Sequence, residues 1–402
     1  MAINDSLDLH VYLQAGPISV YLYDVLLFAA AALLVAELFS RRGERIPRSN
    51  RSVVFLALGY CAYQLAVILP IAVMLHDLKP IAVFRELEIR LGIILLPFMY
   101  LVVLKYVTPR RVILLVDVMA LALVLYVAYK YATVGPSYEG GTRLREVGGW
   151  AVFAFAFLIL TSLFYFRPGI ASYAAAMMGA VGIGLTNHRS GYLALIVVGA
   201  PLFFHFRRAS VRTVVVLIVA ASCVALVLVA APSVRDNLDY SFRTMLNPTA
   251  DQNARDRVDR PRLAWEYFTQ HPLGDHAWNQ RFYLMDLPDP FPPHNFVVQL
   301  LNEQGIVGLA FWGALFVAVG RVGWRNRSAS RLDVVMLACF AFYLVFCLFN
   351  TNLVSEWNIL LLAVPVGVIL RRNAELVALR AEQRAEADSA PSGSAAARAQ
   401  AA

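Results

Sequence analysis

Charged residues are scarce in this chain of 402 residues, and their scarcity excludes an ordinary soluble domain. Only 15% of the residues are Asp, Glu, Lys or Arg, 59% are hydrophobic, and the mean hydropathy is +0.62. The chain instead contains repeated apolar runs of about 17–24 residues, enough to cross a bilayer core of roughly 30 Å. Backbone polar groups in lipid need internal partners, so such runs must be helical. The sequence therefore predicts an all-α polytopic membrane protein.

Cysteine is also rare, and the sequence has none of the common cofactor motifs. The four cysteines lie inside apolar runs without metal-ligand spacing, so we interpret them as small membrane-buried residues: Cys61, Cys223, Cys339 and Cys347. The sequence contains no P-loop, no Rossmann fingerprint, no HExxH and no paired CxxC. We therefore expect neither a bound metal nor a cofactor.

The apolar runs predict about eleven spans, or twelve if closely spaced runs have been merged. They lie near residues 17–39, 52–75, 86–107, 112–131, 149–166, 169–186, 191–206, 213–231, 296–319, 332–350 and 357–370. Residues 1–373 are thus predicted to form a single transmembrane domain, which includes a large loop at 232–294. In that loop, residues 233–246 predict one short helix, and Pro261 suits the first turn of another that ends before HPLG. The tail 374–402 is expected to be cytoplasmic and mostly disordered.

The basic residues predict the orientation of these spans. The net charge is +8, but the arginines gather in short connections between apolar runs, which indicates membrane topology and not a nucleic-acid partner. The connections at 41–51, 108–111, 206–212, 321–331 and 371–373 are expected in the cytoplasm. Residues 76–90, 132–148, 187–190 and 232–294 then lie outside, as does the N-terminus, unless an additional N-terminal span moves that end to the cytoplasm.

His294 stands at the mouth of a predicted span. It follows two prolines and directly precedes Asn295, a suitable helix N-cap. The positive end of the helix dipole disfavours imidazolium, and the neutral ring can accept a proton. The alternative is an interfacial histidine that makes a structural hydrogen bond.

Two arginines are candidates for binding an anion on the same side of the membrane. Arg262 lies on a predicted helix with Trp265 and Glu266, where an i,i+4 ion pair to Glu266 is the simpler explanation. Arg189 lies in a short outward turn, where the orientation bias disfavours arginine; an anionic partner such as phosphate would explain it. Snorkelling into lipid headgroups is the alternative.

Other charged residues on this side are weaker candidates for substrate contacts. Arg85 and Arg90 lie in the run FRELEIR, where spacings of three and four also allow pairing within one helix. Arg143 and Arg145 lie in a glycine-rich loop, where they could meet an anionic acceptor or face solvent only.

The outer segment resembles the O-antigen ligase and polymerase family of bacterial inner-membrane glycosyltransferases. The resemblance covers about fifty residues: Arg262 with Trp265, HPLG at 271–274, His294-Asn295, and then EQGIVGL from Glu303. It implies a fold of the type C glycosyltransferase class, with an active site facing the periplasm of a Gram-negative bacterium. It also implies His294 as the family's essential loop histidine and Arg262 as its loop arginine. The run NHRSG resembles a short turn of the family and implies Arg189 as the arginine at an earlier periplasmic helix end. Both arginines are expected to bind pyrophosphate. Arg85, Arg90, Arg143, Arg145, Asn295 and Trp265 remain secondary candidates.

The resemblance implies transfer of a glycan from undecaprenyl pyrophosphate, without metal. The chain has no Asp-x-Asp pair in an outer loop, a feature of many metal- and nucleotide-dependent glycosyltransferases. The expected function is an O-antigen ligase that uses lipid A–core oligosaccharide as acceptor and inverts the anomeric centre. An O-antigen polymerase or a protein O-oligosaccharyltransferase remains open. A transporter of lipid-linked glycan is a further alternative, but the chain shows no convincing internal repeat.

Overall fold

The computed structural model describes residues 12–15, 18–40, 46–76, 87–134, 138–139, 142–143, 149–186, 189–206, 252–274, 295–349 and 356–389. Within these residues the protein is an all-α bundle, which confirms the predicted fold class. Five helices in this part are long and apolar enough to span a membrane, and three further apolar helices are shorter. The predicted span at 213–231 and the predicted short helix at 233–246 lie outside the described residues.

In the part of the first half that the structure describes, the chain forms a hairpin and five helices. The hairpin pairs β1 (Tyr12–Ala15) with β2 (Ile18–Tyr21). The helices are α1 (Leu22–Ser40), α2 (Arg48–Tyr63), α3 (Leu69–His76), α4 (Leu87–Tyr106) and α5 (Pro109–Val134). A π-helical turn, Gln64–Ile68, joins α2 to α3 into one continuous span. The first span was predicted from residue 17, but residues 18–21 are extended, because β-branched Ile18 and Val20 favour a strand.

Within the described residues, the second half contains a small hairpin and seven helices. The hairpin pairs β3 (Tyr138–Glu139) with β4 (Thr142–Arg143). The helices are α6 (Gly149–Leu160), α7 (Ile170–Thr186), α8 (Arg189–His205), α9 (Gln252–Gln270), α10 (Phe296–Asn326), α11 (Arg331–Cys347) and α12 (Glu356–Ser389). The predicted spans in this half agree with α6, α7, α8, α10 and α11 to within a few residues at most ends, although α10 continues to Asn326. Helix α12 continues through residue 373 without a break.

Helix α6 is the centre of the bundle. Its sequence is apolar on every side, and nearly all of its residues are buried. A helix that is hydrophobic all round is stable when neighbours cover every face, as they do here. Phe153, for example, packs edge-on against Tyr343 of α11 at a centroid distance of 5.2 Å.

Polar contacts mark the two ends of the bundle. At one end, Asn373 donates to Ser49 Oγ and Asn50 Oδ1, each at 2.8 Å, and Asn50 donates to the carbonyl of Leu370 at 2.8 Å. Asn50 and Asn373 belong to two of the connections that the sequence predicts in the cytoplasm, 41–51 and 371–373. The opposite end carries the starts of α4 and α10, and we refer to it as the Arg90 end.

Candidate functional site

Helix α10 begins with the cap that the sequence predicted. Asn295 is extended, and its Oδ1 accepts hydrogen bonds from the backbone N–H of Val297 at 2.9 Å and of Val298 at 3.2 Å. The cap satisfies two of the amides that a helix start leaves without a partner. His294 itself lies outside the described residues, but it is the residue directly before this cap. The positive end of α10 is therefore fixed immediately after the candidate base.

Arg262 lies on α9 and makes the surface ion pair that the simpler interpretation predicted. Its Nε is 3.1 Å from Glu266 Oε1, and the two side chains are 76% and 53% exposed. Trp265 is also half exposed, with its ring 5.4 Å from that of Phe268. The guanidinium of Arg262 is therefore open to solvent and to any anion on this side.

The prediction for the start of α9 was wrong, whereas the prediction for its end is confirmed. The helix begins at Gln252 and contains Pro261 in its interior, so Pro261 does not occupy the first turn. A proline removes one backbone donor, but the other helical hydrogen bonds on either side can still hold the helix together. The helix ends at Gln270, immediately before HPLG.

The HPLG segment is a tight turn that packs against a break in α10. The N–H of Gly274 donates to the carbonyl of His271 at 2.9 Å, and Gly274 has a φ of 78°. Within α10, Gly305 has a φ of 63° and a ψ of −161°, so the helix is interrupted there. The N–H of Ile306, just past the break, donates to the carbonyl of Pro272 at 3.2 Å. The turn thus supplies an acceptor for a backbone donor of α10.

Glu303, just before the break, pairs with a buried arginine. Arg90 Nη2 lies 2.6 Å from Glu303 Oε2, and the side chains are 2% and 1% exposed. The other carboxylate oxygen, Oε1, accepts from Gln299 Nε2 at 2.6 Å. Arg90 lies in the first turn of α4, so this contact joins α4 to α10 at the Arg90 end. The sequence indicated pairing within FRELEIR but not this partner, which is more than two hundred residues away.

Gln304, the next residue, is bound to the α2–α3 span. Its Nε2 donates to the Tyr60 hydroxyl at 3.0 Å, and its Oε1 accepts from Gln64 Nε2 at 3.1 Å. Gln64 opens the π-helical turn, and all three side chains are buried. The Gln304 side chain also fills the space beside Gly308, where a Cβ would overlap it. Within EQGIVGL, Glu303 therefore contacts α4, and Gln304 contacts the α2–α3 span. The backbone N–H of Ile306 binds the turn that follows α9.

The structure describes only some of the remaining candidate site residues. Arg189 is the first residue of α8, not a turn residue, and Arg143 lies in β4; their side chains are outside the described residues. Arg85 and Arg145 also lie outside them. Arg90 is buried against Glu303, and its contact with substrate stays a prediction. Within the described residues, no group of three or more His, Cys, Asp and Glu could hold a metal ion.

The sequence did not predict two sets of buried polar contacts, one formed by Gln299 and Glu303 with Arg90 and one formed by Gln64 and Gln304 with Tyr60. The available signal was the density of polar residues in QLLNEQG within an otherwise apolar run. Polar residues inside a membrane segment are costly and usually have polar partners.

A comparison with models of protein families agrees with the resemblance that the sequence motifs indicated. The family model described as O-antigen ligase matches residues 173–313, which extend from within α7 to within α10. The match contains Arg189, Arg262 and His294, and it confirms the resemblance to this family. A search of curated proteins found no match.

Proposed function

We propose that this protein is an O-antigen ligase. It would transfer a glycan from undecaprenyl pyrophosphate to lipid A–core oligosaccharide at the periplasmic face of the bacterial inner membrane. The observation that carries the proposal is the family match over residues 173–313, which contains the candidate base and both candidate arginines. The capped start of α10 directly after His294 supports it.

The arginines would bind the pyrophosphate leaving group. A planar guanidinium matches phosphate oxygens with two parallel hydrogen bonds and stays charged at all relevant pH values. Arg262 suits this role because its present partner is weak: an exposed ion pair is worth about 0–1 kcal/mol. An incoming pyrophosphate can therefore displace Glu266 at small cost. Arg189 would supply the second guanidinium from the start of α8.

His294 would be the general base. It removes the proton from an acceptor sugar hydroxyl as the hydroxyl oxygen attacks the anomeric carbon of the donor. A new C–O bond forms, the bond between the anomeric carbon and the pyrophosphate oxygen breaks, and undecaprenyl pyrophosphate leaves as an anion. A single displacement inverts the anomeric centre. The positive end of the α10 dipole would add favourable electrostatics for the same anion.

The direct test is transfer by purified protein in detergent, with lipid-linked donor, lipid A–core acceptor and EDTA. We expect polysaccharide to appear on the acceptor, with the metal chelated. A pure transporter would form no product. Product that requires an added divalent metal would overturn the metal-independent mechanism.

Deletion of the gene distinguishes the related enzymes. A ligase deletion accumulates lipid-linked polymer, because polymer still forms but is not transferred. A polymerase deletion instead leaves single repeats on lipid A–core, and that result would overturn the choice of acceptor. Loss of glycan from proteins, with normal lipopolysaccharide, would indicate a protein O-oligosaccharyltransferase.

A further inference from the structure

The break in α10 is held by contacts from three different directions. Three consecutive residues provide them: Glu303 pairs with Arg90 of α4, Gln304 binds Tyr60 and Gln64 of the α2–α3 span, and Gly305 packs against the turn that follows α9. We call residues 303–305 with these partners the α10 junction. It lies between the membrane helices and the polar helix that carries Arg262.

The break makes the orientation of the first part of α10 depend on side-chain contacts. In an uninterrupted helix, the backbone hydrogen bonds fix one turn relative to the next. At Gly305 the backbone leaves the helical conformation, so residues 296–304 form a short separate segment. This segment begins at the Asn295 cap, and its last turn carries Glu303 and Gln304. What fixes these two side chains therefore also fixes the helix start beside His294.

The Arg90–Glu303 pair is suited to hold such a segment rigidly. Both side chains are almost completely buried, and Glu303 has a second donor in Gln299. Charge-assisted hydrogen bonds are about twice as strong as neutral ones, and low dielectric surroundings strengthen them further. Buried ion pairs contribute little net stability compared with apolar residues, but they can specify one arrangement.

We propose that Arg90 and Glu303 are positioning residues of the transfer reaction. Their pair fixes the first segment of α10, and with it the relation between His294 at its start and Arg262 above the turn. Neither side chain needs to touch the substrate in this role. This inference rests on the proposed function. It identifies the first segment of α10 as the element that aligns His294 with Arg262.

The test compares kcat, KM and thermal midpoint for variants of this pair in purified protein. We expect Glu303→Gln to lower kcat by about tenfold to a hundredfold, because a misplacement of about 1 Å can cost a hundredfold. The KM for donor should change little, since Arg262 and Arg189 remain. A Glu303→Gln protein with wild-type kcat would overturn the proposal.

A second ion pair on α4 provides the matched control. Lys105, near the other end of this helix, pairs with Glu37 of α1 at 3.0 Å. Glu37→Gln should lower the thermal midpoint without lowering kcat. If both Gln variants lose kcat in proportion to thermal midpoint, the role of Glu303 is structural only, and the proposal is overturned.

Charge reversal separates positioning from substrate binding. The double variant Arg90→Glu with Glu303→Arg retains an ion pair, so we expect it to recover kcat relative to either single reversal. An Arg90 that bound pyrophosphate directly would not be replaced by a glutamate, and absence of recovery would overturn the proposal. If Glu303→Gln does not fold, the neutral double variant Arg90→Gln with Glu303→Gln leaves no buried lone charge. It should fold and show the same loss of kcat.

Failure of the proposed function can be distinguished from failure of the positioning role. A His294→Ala protein with wild-type transfer would overturn the mechanism, whatever Glu303→Gln does. An inactive His294→Ala protein beside a fully active Glu303→Gln protein would overturn only the positioning role.

Discussion

Gly274 and Gly305 meet backbone to backbone, and neither position has room for a side chain. A Cβ on Gly305 would lie 2.6 Å from Gly274 N, and one on Gly274 would lie 2.7 Å from the carbonyl carbon of Gln304. Both residues also have positive φ values, 78° and 63°. The contact joins two short motifs, HPLG and EQGIVGL, that are separated in the sequence by the candidate histidine.

Gly305→Ala should destabilise the protein. A non-glycine residue at such a φ costs about 1–3 kcal/mol, and the overlap with the turn adds to that cost. The measurement is the thermal midpoint of purified protein in detergent, together with the transfer rate of the folded fraction. Gly313→Ala is the matched control, because Gly313 lies in the same helix with nothing within 4 Å of its Cβ position. A helical Gly→Ala change there should be neutral or stabilising by about 0.5–1 kcal/mol. Equal midpoints for the two variants would contradict the structure of the break.

Asn295→Ala should weaken the start of α10. Loss of an N-cap side chain costs about 0.5–2 kcal/mol, because the amides of Val297 and Val298 lose their acceptor. Asn295→Asp keeps an oxygen acceptor at the positive end of the helix, so it should retain the thermal midpoint of the native protein. If the Ala and Asp variants unfold at the same temperature, the cap does not contribute in the way described.

Arg262→Lys should impair transfer although it keeps the positive charge. Lysine cannot form the planar two-point contact with phosphate, so we expect a higher KM for the lipid-linked donor. Glu266→Gln removes the present partner of Arg262 and is the control. It should leave activity intact and change stability by less than about 1 kcal/mol, since the pair is exposed. Equal activity losses in both variants would show that the ion pair, and not phosphate binding, is the function of Arg262.

His294→Ala should reduce kcat by about 10²–10⁴-fold, the usual contribution of general-base catalysis. The thermal midpoint should stay close to that of the native protein. His205→Ala, at the exposed end of α8, tests whether any histidine substitution has this effect and should retain activity. Retained transfer by His294→Ala protein would remove His294 from the mechanism.

Most of the helices could be predicted because each depends on residues that are close together in the sequence. An apolar run of sufficient length must be helical in lipid, and the Asn295 cap depends on residues only two and three positions away. The pairing of Arg90 with Glu303 could not be predicted in this way, because it depends on which helices become neighbours. The start of α9 was mispredicted for a different reason. Proline is compatible with the first turn of a helix, but it does not require a helix to begin there, and α9 begins at Gln252.

The break at Gly305 also could not be predicted from the neighbouring residues in the sequence. EQGIVGL lies within the span predicted near residues 296–319, so the sequence predicted one uninterrupted helix there. The glycine alone costs a helix about 1 kcal/mol and does not break it. The interruption becomes stable because the turn at residues 271–274 supplies an acceptor for the N–H of Ile306. That acceptor is supplied by a different part of the chain.

The length of α12 provides a way to determine which side of the membrane each end of the bundle faces. Its 34 residues correspond to about 51 Å, whereas a hydrocarbon core is roughly 30 Å thick. If α12 crosses the membrane as the sequence predicts, we expect about 20 Å of helix to extend past the Asn373 end, where residues such as Arg384 are charged and exposed. We expect a cysteine at residue 384 to lie outside the lipid. Among the described residues the native Cys61, Cys339 and Cys347 are buried, and Cys223 is replaced by alanine in the test protein. A membrane-impermeant thiol reagent should then label this position in inverted vesicles and not in intact spheroplasts.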